Sequence, residues 1–148
     1  MHIISVAERT GEGFCELLSR HIEKAGIPVK IYSGVRPDCD LLVCSPAAVV
    51  RSTARFRTVL TPGGNACPAS DEAVSYGPSP RDSLTVSSIT PASLVISIQR
   101  ELLSLNHATI ERQELPHIPI TRSSDTTLAV AGALLLLGLP PESLPNTL

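Results

Sequence analysis

The residues whose types and spacing could do chemistry are Thr10, Gly11, Glu12, Gly13 and Phe14. They lie between a short apolar segment and an amphipathic one, within IISVAERTGEGFCELLSRHIEKAG. This order is typical of a nucleotide phosphate loop, in which a lysine meets the phosphates and a Ser/Thr hydroxyl binds magnesium. Here Glu12 stands in the lysine position and Gly13 in the Ser/Thr position.

The charge of Glu12 opposes the chemistry that its surroundings suggest. A helix N-terminus attracts anions through its free N–H groups and the positive end of the helix dipole. We expect the Glu12 carboxylate to fill that place itself and to repel a phosphate. The simplest role for Glu12 is a solvated carboxylate that stabilises the helix start by about 0.3–1 kcal/mol. Contact with a cationic ligand is the alternative.

Composition limits the class of protein. The chain has 148 residues, which predicts one domain, and only 3% of them are aromatic, so the core must be aliphatic. The net charge is −2, and this excludes the basic surface that nucleic acids require. The apolar run over 128–139 is too short to span a bilayer, so we expect a cytoplasmic protein with no membrane partner.

Cysteine and histidine chemistry is not indicated. The four cysteines contain no C-x-x-C spacing, so no zinc site is predicted, and we expect buried free thiols. The helical position of His21 suggests a surface or boundary residue. No histidine has a visible carboxylate or nucleophile partner in the sequence, and we predict no catalytic residue. The cysteines are Cys15, Cys39, Cys44 and Cys67.

Hydrophobic patterning predicts strands that alternate with helices, which favours a mainly parallel sheet covered on both faces. A loop is expected over 62–72, and Arg81-Asp82 is expected to form a salt bridge or cap in a turn. Asp125 is expected to cap the last long helix, with Gly138 as its stop. The predicted strands are 3–6, 29–32, 40–44, 58–61, 73–76 and 84–89, and the predicted helices are 13–25, 46 to about 55, 126–137 and a short one from 141.

A β-hairpin is predicted from Leu94–Leu105 and Thr109–Ile118, with a two-residue turn at Asn106-His107. That turn would place Glu101 opposite Arg112. It would also place Leu103 opposite Ile110 and Ile98 opposite Leu115. The charged residues of this hairpin, at 94–118, form either a solvated sheet face or a surface for a protein partner or for self-association.

The order of elements resembles the central, ATP-binding domain of the Mur ligases, to which folylpolyglutamate synthases and cyanophycin synthetases are related. The first stretch that carries the resemblance is the loop and helix quoted above, similar to the family's T-G-T-N-G-K-T loop. The others are DLLVCSP with TVLTPGGNACP, then AVSYGPSPRDSLTVSSI, and finally LPHIPITRSSDTTLAVAGALLLLGLPPESL. Together they cover nearly the whole chain, as a single domain over 1–148.

The functional positions of the resembled family do not carry over. Besides Glu12 and Gly13, the family's paired aspartates correspond to about Asn65-Ala66-Cys67, and its His-Asn pair falls among Arg122-Ser123-Ser124. The segment before the DLLVC strand is too short for the family's magnesium-binding strand. No stretch of the sequence resembles the family's flanking domains, which bind the precursor and the amino acid, and we expect the protein to lack them.

The sequence therefore predicts a three-layer α/β domain with a P-loop-like, mainly parallel sheet, a C-terminal antiparallel hairpin and a final helix. The resemblance implies a non-catalytic binding, scaffolding or regulatory module with no cofactor, in which residues 10–14 are a degenerate loop. The alternative is an ATP-binding protein, or an ATP- and magnesium-dependent carboxylate–amine ligase of cell-wall precursor metabolism, with an altered loop. The loop Pro62–Ala69 is expected to rim a pocket together with Thr10–Phe14.

Overall fold

The computed structural model describes residues 1–148 and is organised around an eight-stranded mixed sheet, with a separate two-stranded ribbon. The α/β class is confirmed. In chain order the elements are β1 (His2–Ala7), α1 (Phe14–Ala25), β2 (Val29–Ser33), β3 (Leu41–Cys44), β4 (Phe56–Pro62), β5 (Ser70–Tyr76), β6 (Leu84–Ile89), β7 (Ser93–Ile98), β8 (Leu102–Leu103), β9 (Thr109–Ile110), β10 (Gln113–Pro119), α2 (Ser124–Leu136), a 3-10 turn (Pro141–Ser143) and α3 (Leu144–Thr147).

The strand order across the sheet is β10-β7-β6-β5-β4-β3-β1-β2. All neighbours from β2 to β6 run parallel, whereas β6, β7 and β10 are antiparallel to one another. The carboxyl ends of β1, β3 and β4 therefore lie at one edge of the sheet. Connecting loops at such an edge are where open α/β sheets commonly bind ligands.

The helices cover only one face of the sheet, so the expected third layer is not helical. Along β3, Leu41 and Val43 belong to a cluster of 30 buried residues that contains the buried apolar residues of all three helices. Leu42 and Cys44 point the other way, into a cluster of 7 residues with no helical member. That second face is covered by the segment 45–55, through Ala48 and the half-buried Val50 and Ala54.

The helix predicted from Pro46 to about Arg55 is wrong, and its place is taken by a turn and irregular chain. The backbone N–H of Ala47 donates to the Glu12 carboxylate, and that of Ala48 closes a turn onto the Ser45 carbonyl. The β-branched pair Val49-Val50 weakens helix propensity further.

The next connection, residues 63–69, must return along the seven-residue strand β4, about 23 Å. Seven helical residues would span only about 10 Å.

Helix α2 is buried on all sides, as expected for a helix that is apolar all round. Every residue from Thr126 to Leu136 is buried. The predicted cap is corrected, because the side chain of Ser123, and not that of Asp125, accepts a hydrogen bond from the N–H of Thr126 at 3.1 Å. Asp125 lies in the first turn of α2, where its negative charge interacts favourably with the positive end of the helix dipole.

The C-terminal hairpin forms, but its predicted register is wrong. Ile98 pairs with Gln113 and Leu115 with Ile96, a shift of two residues that keeps the apolar side chains on their predicted face. The β7–β10 ladder ends at the pair of Ile98 with Gln113, and the next N–H of the chain, from Gln99, donates to Ser83 on the side of β6.

At the hairpin tip, Leu102 and not Leu103 pairs with Ile110, which buries Leu102 and leaves Leu103 38% exposed. The expected ion pair of Glu101 with Arg112 is absent from the four ion pairs of the structure. The structure contains no helix with the length and apolar character needed to cross a membrane.

Packing of α2 against the sheet generates the first prediction. A Cβ atom at Gly132 would lie 2.8 Å from Leu84 Cδ1 and 3.1 Å from Leu60 Cδ2, both on fully buried side chains. We expect Gly132→Val to lower the free energy of unfolding by about 1–3 kcal/mol through overpacking, measured by urea denaturation. Arg20→Val, at an exposed position in the middle of α1, is the control and should cost only its helix propensity, less than about 0.7 kcal/mol. Equal losses would contradict the packing described.

His21 lies half-buried on α1, which packs against the C-terminal helix α3. Its Nδ1 atom is buried and has no hydrogen-bond partner. Burial lowers the pKa of His21, a hydrogen bond with the Thr147 backbone raises it, and the charges of Lys24 and Arg20 lower it again, so that the net shift is downward. The neutral imidazole is therefore favoured in the folded state.

A pH dependence of stability follows from this shift. Because the folded pKa lies below the unfolded value of about 6.5, the unfolded chain takes up the proton first. The stability that the neutral His21 side chain contributes is fully present above the unfolded pKa of about 6.5. It is lost as the pH falls through the folded pKa of His21. We expect His21→Gln to flatten the loss of thermal stability between about pH 7 and pH 5. Identical pH profiles for variant and wild type would refute the assignment.

Candidate functional site

The loop between β1 and α1 has the backbone geometry that its glycines predict. Gly11 and Gly13 adopt φ values of 84° and 70°, a left-handed region that favours glycine. Gly13 is the N-cap residue, without a side chain to cap the helix. A threonine at this position, as in the resembled loop, would be strained by the positive φ. Its Cβ would also lie 3.4 Å from the Arg122 guanidinium.

No role for Glu8 was predicted from the sequence, but its carboxylate caps the N-terminus of α1. Its Oε2 atom accepts a hydrogen bond of 2.6 Å from the backbone N–H of Cys15, the second helical residue. This corrects the expectation that Glu12 would fill this place. The usual capping signals lie within three residues of the helix start. Glu8 acts from six residues before Phe14, so only its position directly after β1 hinted at the role.

Glu12 instead joins the β1–α1 loop to the segment that follows β3. Its Oε1 atom accepts hydrogen bonds from the N–H of Arg9 at 3.0 Å and from the Ser45 hydroxyl at 2.5 Å. Its Oε2 atom accepts one from the N–H of Ala47 at 3.2 Å. Glu12 is thus half-buried and structurally engaged, and not the solvated carboxylate that its position suggested.

Arg122 holds the same loop from the opposite side. Its Nη1 atom donates to the Glu12 carbonyl at 2.8 Å, and its Nη2 atom donates to the Gly13 carbonyl at 3.2 Å. Arg122 immediately precedes the N-cap of α2 and has a φ of 59°. The position that resembled the family's His-Asn pair is therefore used to fasten the loop to the amino end of α2.

Together these contacts place two carboxylates of the chain at the β1–α1 loop. Two donors that face the strand ends, the N–H groups of Cys15 and Ala47, are already bound to Glu8 and Glu12. A phosphate placed there would meet two carboxylates instead of a lysine and a magnesium ion. The two carboxylates stabilise the loop and oppose a phosphate at these two donors, although Arg122 brings a positive charge to the opposite side of the loop.

Residues 10–14 divide between the surface and the core. Thr10 is exposed and lines a shallow cleft with Glu8, Arg9, Ala47 and Val49. Phe14 is 1% exposed and belongs to the core, so it is not available to a ligand.

The loop over 62–69 does not share a pocket with residues 10–14, contrary to expectation. Residues 65, 66 and 68 instead line an apolar cleft of about 160 Å³ with Cys44, Thr61 and residues 48–50. Val49 is the residue that this cleft shares with the cleft at Thr10.

The cysteine prediction is confirmed in part. Cys39 and Cys44 are buried free thiols, but Cys15 is half-buried and Cys67 is exposed. Burial raises the pKa of Cys44 to about 11, against a lowering hydrogen bond from Thr61, so this thiol stays protonated at neutral pH.

The buried hydroxyl of Tyr76 donates to the Cys44 carbonyl at 2.7 Å, and burial raises the pKa of Tyr76 as well. Neither group is poised as a nucleophile. The structure describes all 148 residues. Among them, no three histidine, cysteine, aspartate or glutamate side chains lie close enough together to hold a metal ion.

Comparison of this chain with protein-family models, with curated proteins and with solved structures finds no match. The resemblance to the Mur ligase central domain therefore rests on the residues of the chain alone. The α/β sheet and the strand–loop–helix unit at β1–α1 are what the chain itself shows.

Removal of the Glu8 carboxylate tests its role at the helix start. We expect Glu8→Ala to lower the free energy of unfolding by about 0.5–2 kcal/mol, because the N–H of Cys15 loses its acceptor. Urea denaturation measures the loss. Glu23→Ala, at the exposed carboxyl-terminal end of the same helix, removes an equal charge and should cause no loss or a small gain. A Glu8 variant as stable as wild type would contradict the capping contact.

Proposed function

We propose that this chain is a non-catalytic relative of the Mur ligase central domain, with a P-loop-like β1–α1 unit, that acts as a binding, scaffolding or regulatory module. The observation that carries the proposal is the pair of internal carboxylates at the loop, Glu8 on Cys15 and Glu12 on Ser45 and Ala47. Catalysis of phosphoryl transfer depends mostly on positioning and on cations that neutralise developing charge. Both carboxylates oppose that requirement.

Under this proposal the module works in the cytoplasm without a nucleotide cofactor, beside enzymes of cell-wall precursor metabolism, because that is where the resembled ligases act. Its partner is another protein or a second copy of the chain, for which the hairpin at 94–118 offers the surface. Leu103 at the hairpin tip is exposed. Pro116 and Pro119 interrupt the row of N–H donors along the edge strand β10, which favours contact through side chains over added strand pairing.

The rival reading, an ATP-binding protein with an altered loop, makes an opposite prediction for nucleotide affinity. In isothermal titration with Mg-ATP we expect the wild-type protein to show no binding with a Kd below about 1 mM, equivalent to roughly −4 kcal/mol. Saturable binding by the wild type would refute the non-catalytic proposal and favour the ligase-type reading.

A paired variant tests whether the two carboxylates are the cause. We expect Glu8→Gln with Glu12→Lys to gain saturable Mg-ATP binding, because it removes both internal anions and restores the loop cation. Gly13 is left unchanged because its positive φ would strain a threonine. Glu16→Gln with Glu23→Lys makes the same change of net charge elsewhere on α1 and should gain nothing.

The conservative variant Glu8→Gln with Glu12→Gln keeps hydrogen-bond acceptors at both positions. Circular dichroism establishes that each variant is folded. A folded lysine variant that gains no affinity would contradict the derivation of this loop from a phosphate loop. A control variant that gains as much affinity for Mg-ATP would show that net charge alone causes the effect.

A further inference from the structure

The two edges of the eight-stranded sheet differ in what they offer to another chain. One edge is β10, where Pro116 and Pro119 lack N–H donors and the ladder is irregular between Leu115 and Ile118. The other edge is β2, which pairs only with β1 and contains no proline. A regular edge strand of this kind is a template for pairing with a further strand.

The direction of the backbone groups of β2 follows from its pairing with β1. Directly after the end of β2, the N–H of Gly34 donates to the carbonyl of Val6 on β1 at 2.8 Å. Because successive residues of a strand direct their N–H and C=O groups to alternate sides, Lys30 and Tyr32 also face β1. The other residues of the strand direct their N–H and C=O groups away from the sheet, and they are Val29, Ile31 and Ser33.

These outward-facing backbone groups have no partner within the chain. The hydrogen bonds of turns, loops and caps involve no N–H or C=O group of Val29, Ile31 or Ser33, and β2 has no second neighbour in the sheet. The side chains of Val29, Ile31 and Tyr32 are only half-buried. A further strand at this edge would therefore complete the hydrogen bonding and also the cover of these side chains.

We propose that β2 pairs antiparallel with β2 of a second copy of the chain, about a twofold axis at Ile31, so that two sheets become one. In this register Ile31 lies opposite the partner's Ile31, and Val29 lies opposite the partner's Ser33. Each outward N–H and C=O group of the strand then gains a hydrogen bond, and both copies use the same surface, as twofold symmetry requires. The inference goes beyond the proposed function and does not depend on nucleotide binding.

Lys30 selects this register over its neighbours. In a pair about Ile31, Lys30 lies opposite the partner's Tyr32, where the aliphatic stem and the ammonium group contact the aromatic ring. A slide of two residues in one direction places Lys30 opposite the partner's Lys30, where like charges repel, and leaves the Ser33 groups unpaired. A slide in the other direction leaves the Val29 groups unpaired.

The Tyr32 ring is already held in place beside β2. The Arg36 guanidinium lies 3.9 Å from the centroid of this ring, and its Nη2 atom lies 3.1 Å from Oδ2 of Asp38. The Asp38 carboxylate offsets the positive charge of Arg36, which reduces the repulsion between Arg36 and the partner's Lys30.

The proposed contact is small, because one five-residue strand forms its centre. Interfaces at the small end of the size range are weak and transient. We therefore expect a reversible dimer with a dissociation constant between about 10 μM and 1 mM, measured by sedimentation velocity of the full chain over that range of concentration.

Amide hydrogen exchange followed by NMR locates the contact. We expect exchange at Val29, Ile31 and Ser33 to slow as the protein concentration rises, in proportion to the fraction of protein in the dimer. Exchange at Lys30 and Tyr32 should change less, because these N–H groups are bonded to β1 in the monomer as well. Equal slowing at all five residues would contradict the pairing of this edge.

Three variants test the surface itself. Ile31→Lys places like charges across the twofold axis and should weaken dimerisation at least about tenfold. Ile31→Pro should weaken it as much, because it removes an outward N–H without removing a hydrogen bond to β1. Leu103→Lys makes a matched change at the exposed hairpin tip and should leave the dimer intact. Circular dichroism establishes that each variant is folded.

A wild-type protein that stays monomeric up to about 1 mM overturns the proposal and leaves β2 open to an extended segment of another protein. Loss of the dimer in Leu103→Lys but not in folded Ile31→Lys also overturns it, in favour of the hairpin. These outcomes are separate from those of the Mg-ATP titration, which alone decides the non-catalytic proposal.

Discussion

Helix α2 must be covered on every side, and much of the molecule is arranged to cover it. Every residue from Thr126 to Leu136 is buried, and most of them are apolar. The helix is therefore stable only when protein surrounds it. It packs on strands β3 to β6 and beside α1, and the N–H of Leu105 donates to the carbonyl of Leu136 at its carboxyl end. The same packing brings Arg122, at its amino end, onto the β1–α1 loop. Core packing and loop geometry are therefore coupled through one helix.

The β1–α1 loop is a structural joint. Gly11 and Gly13 adopt positive φ values, and α1 begins directly after them at Phe14. Carboxylates supplied by the chain occupy its donors and fasten it to the segment after β3. Such an internal anion is held at a high effective concentration, so a free phosphate must displace it as well as overcome its charge.

Local patterns predicted the elements better than their partners. The limits of α1 and β6 followed from apolar spacing, and Gly26 and Gly138 followed from their roles at helix ends. The segment 46–55 was misread because its fate depends on a contact with Glu12, which lies 35 residues away from Ala47 in the chain. The hairpin register was wrong because a two-residue turn at 106–107 was assumed to set one continuous ladder, whereas the pairings of β8–β9 and β7–β10 are shifted by one and by two residues. Within the site, Glu12 was identified, but the roles of Glu8 and Arg122 depend on contacts between segments distant in the chain.

The two faces of the sheet are held by cores of very different size, 30 buried residues on the helical face and 7 on the other. Local opening costs least where few buried contacts must break. We therefore expect local opening of the segment 45–55 to cost less free energy than opening of the helical face, with the Glu12 contacts to Ser45 and Ala47 opposing it. Ala47 and Val49 lie on this segment and line the clefts at the carboxyl edge. Both clefts therefore share a wall that belongs to the less buried face of the sheet, so a change in this segment would alter both of them together.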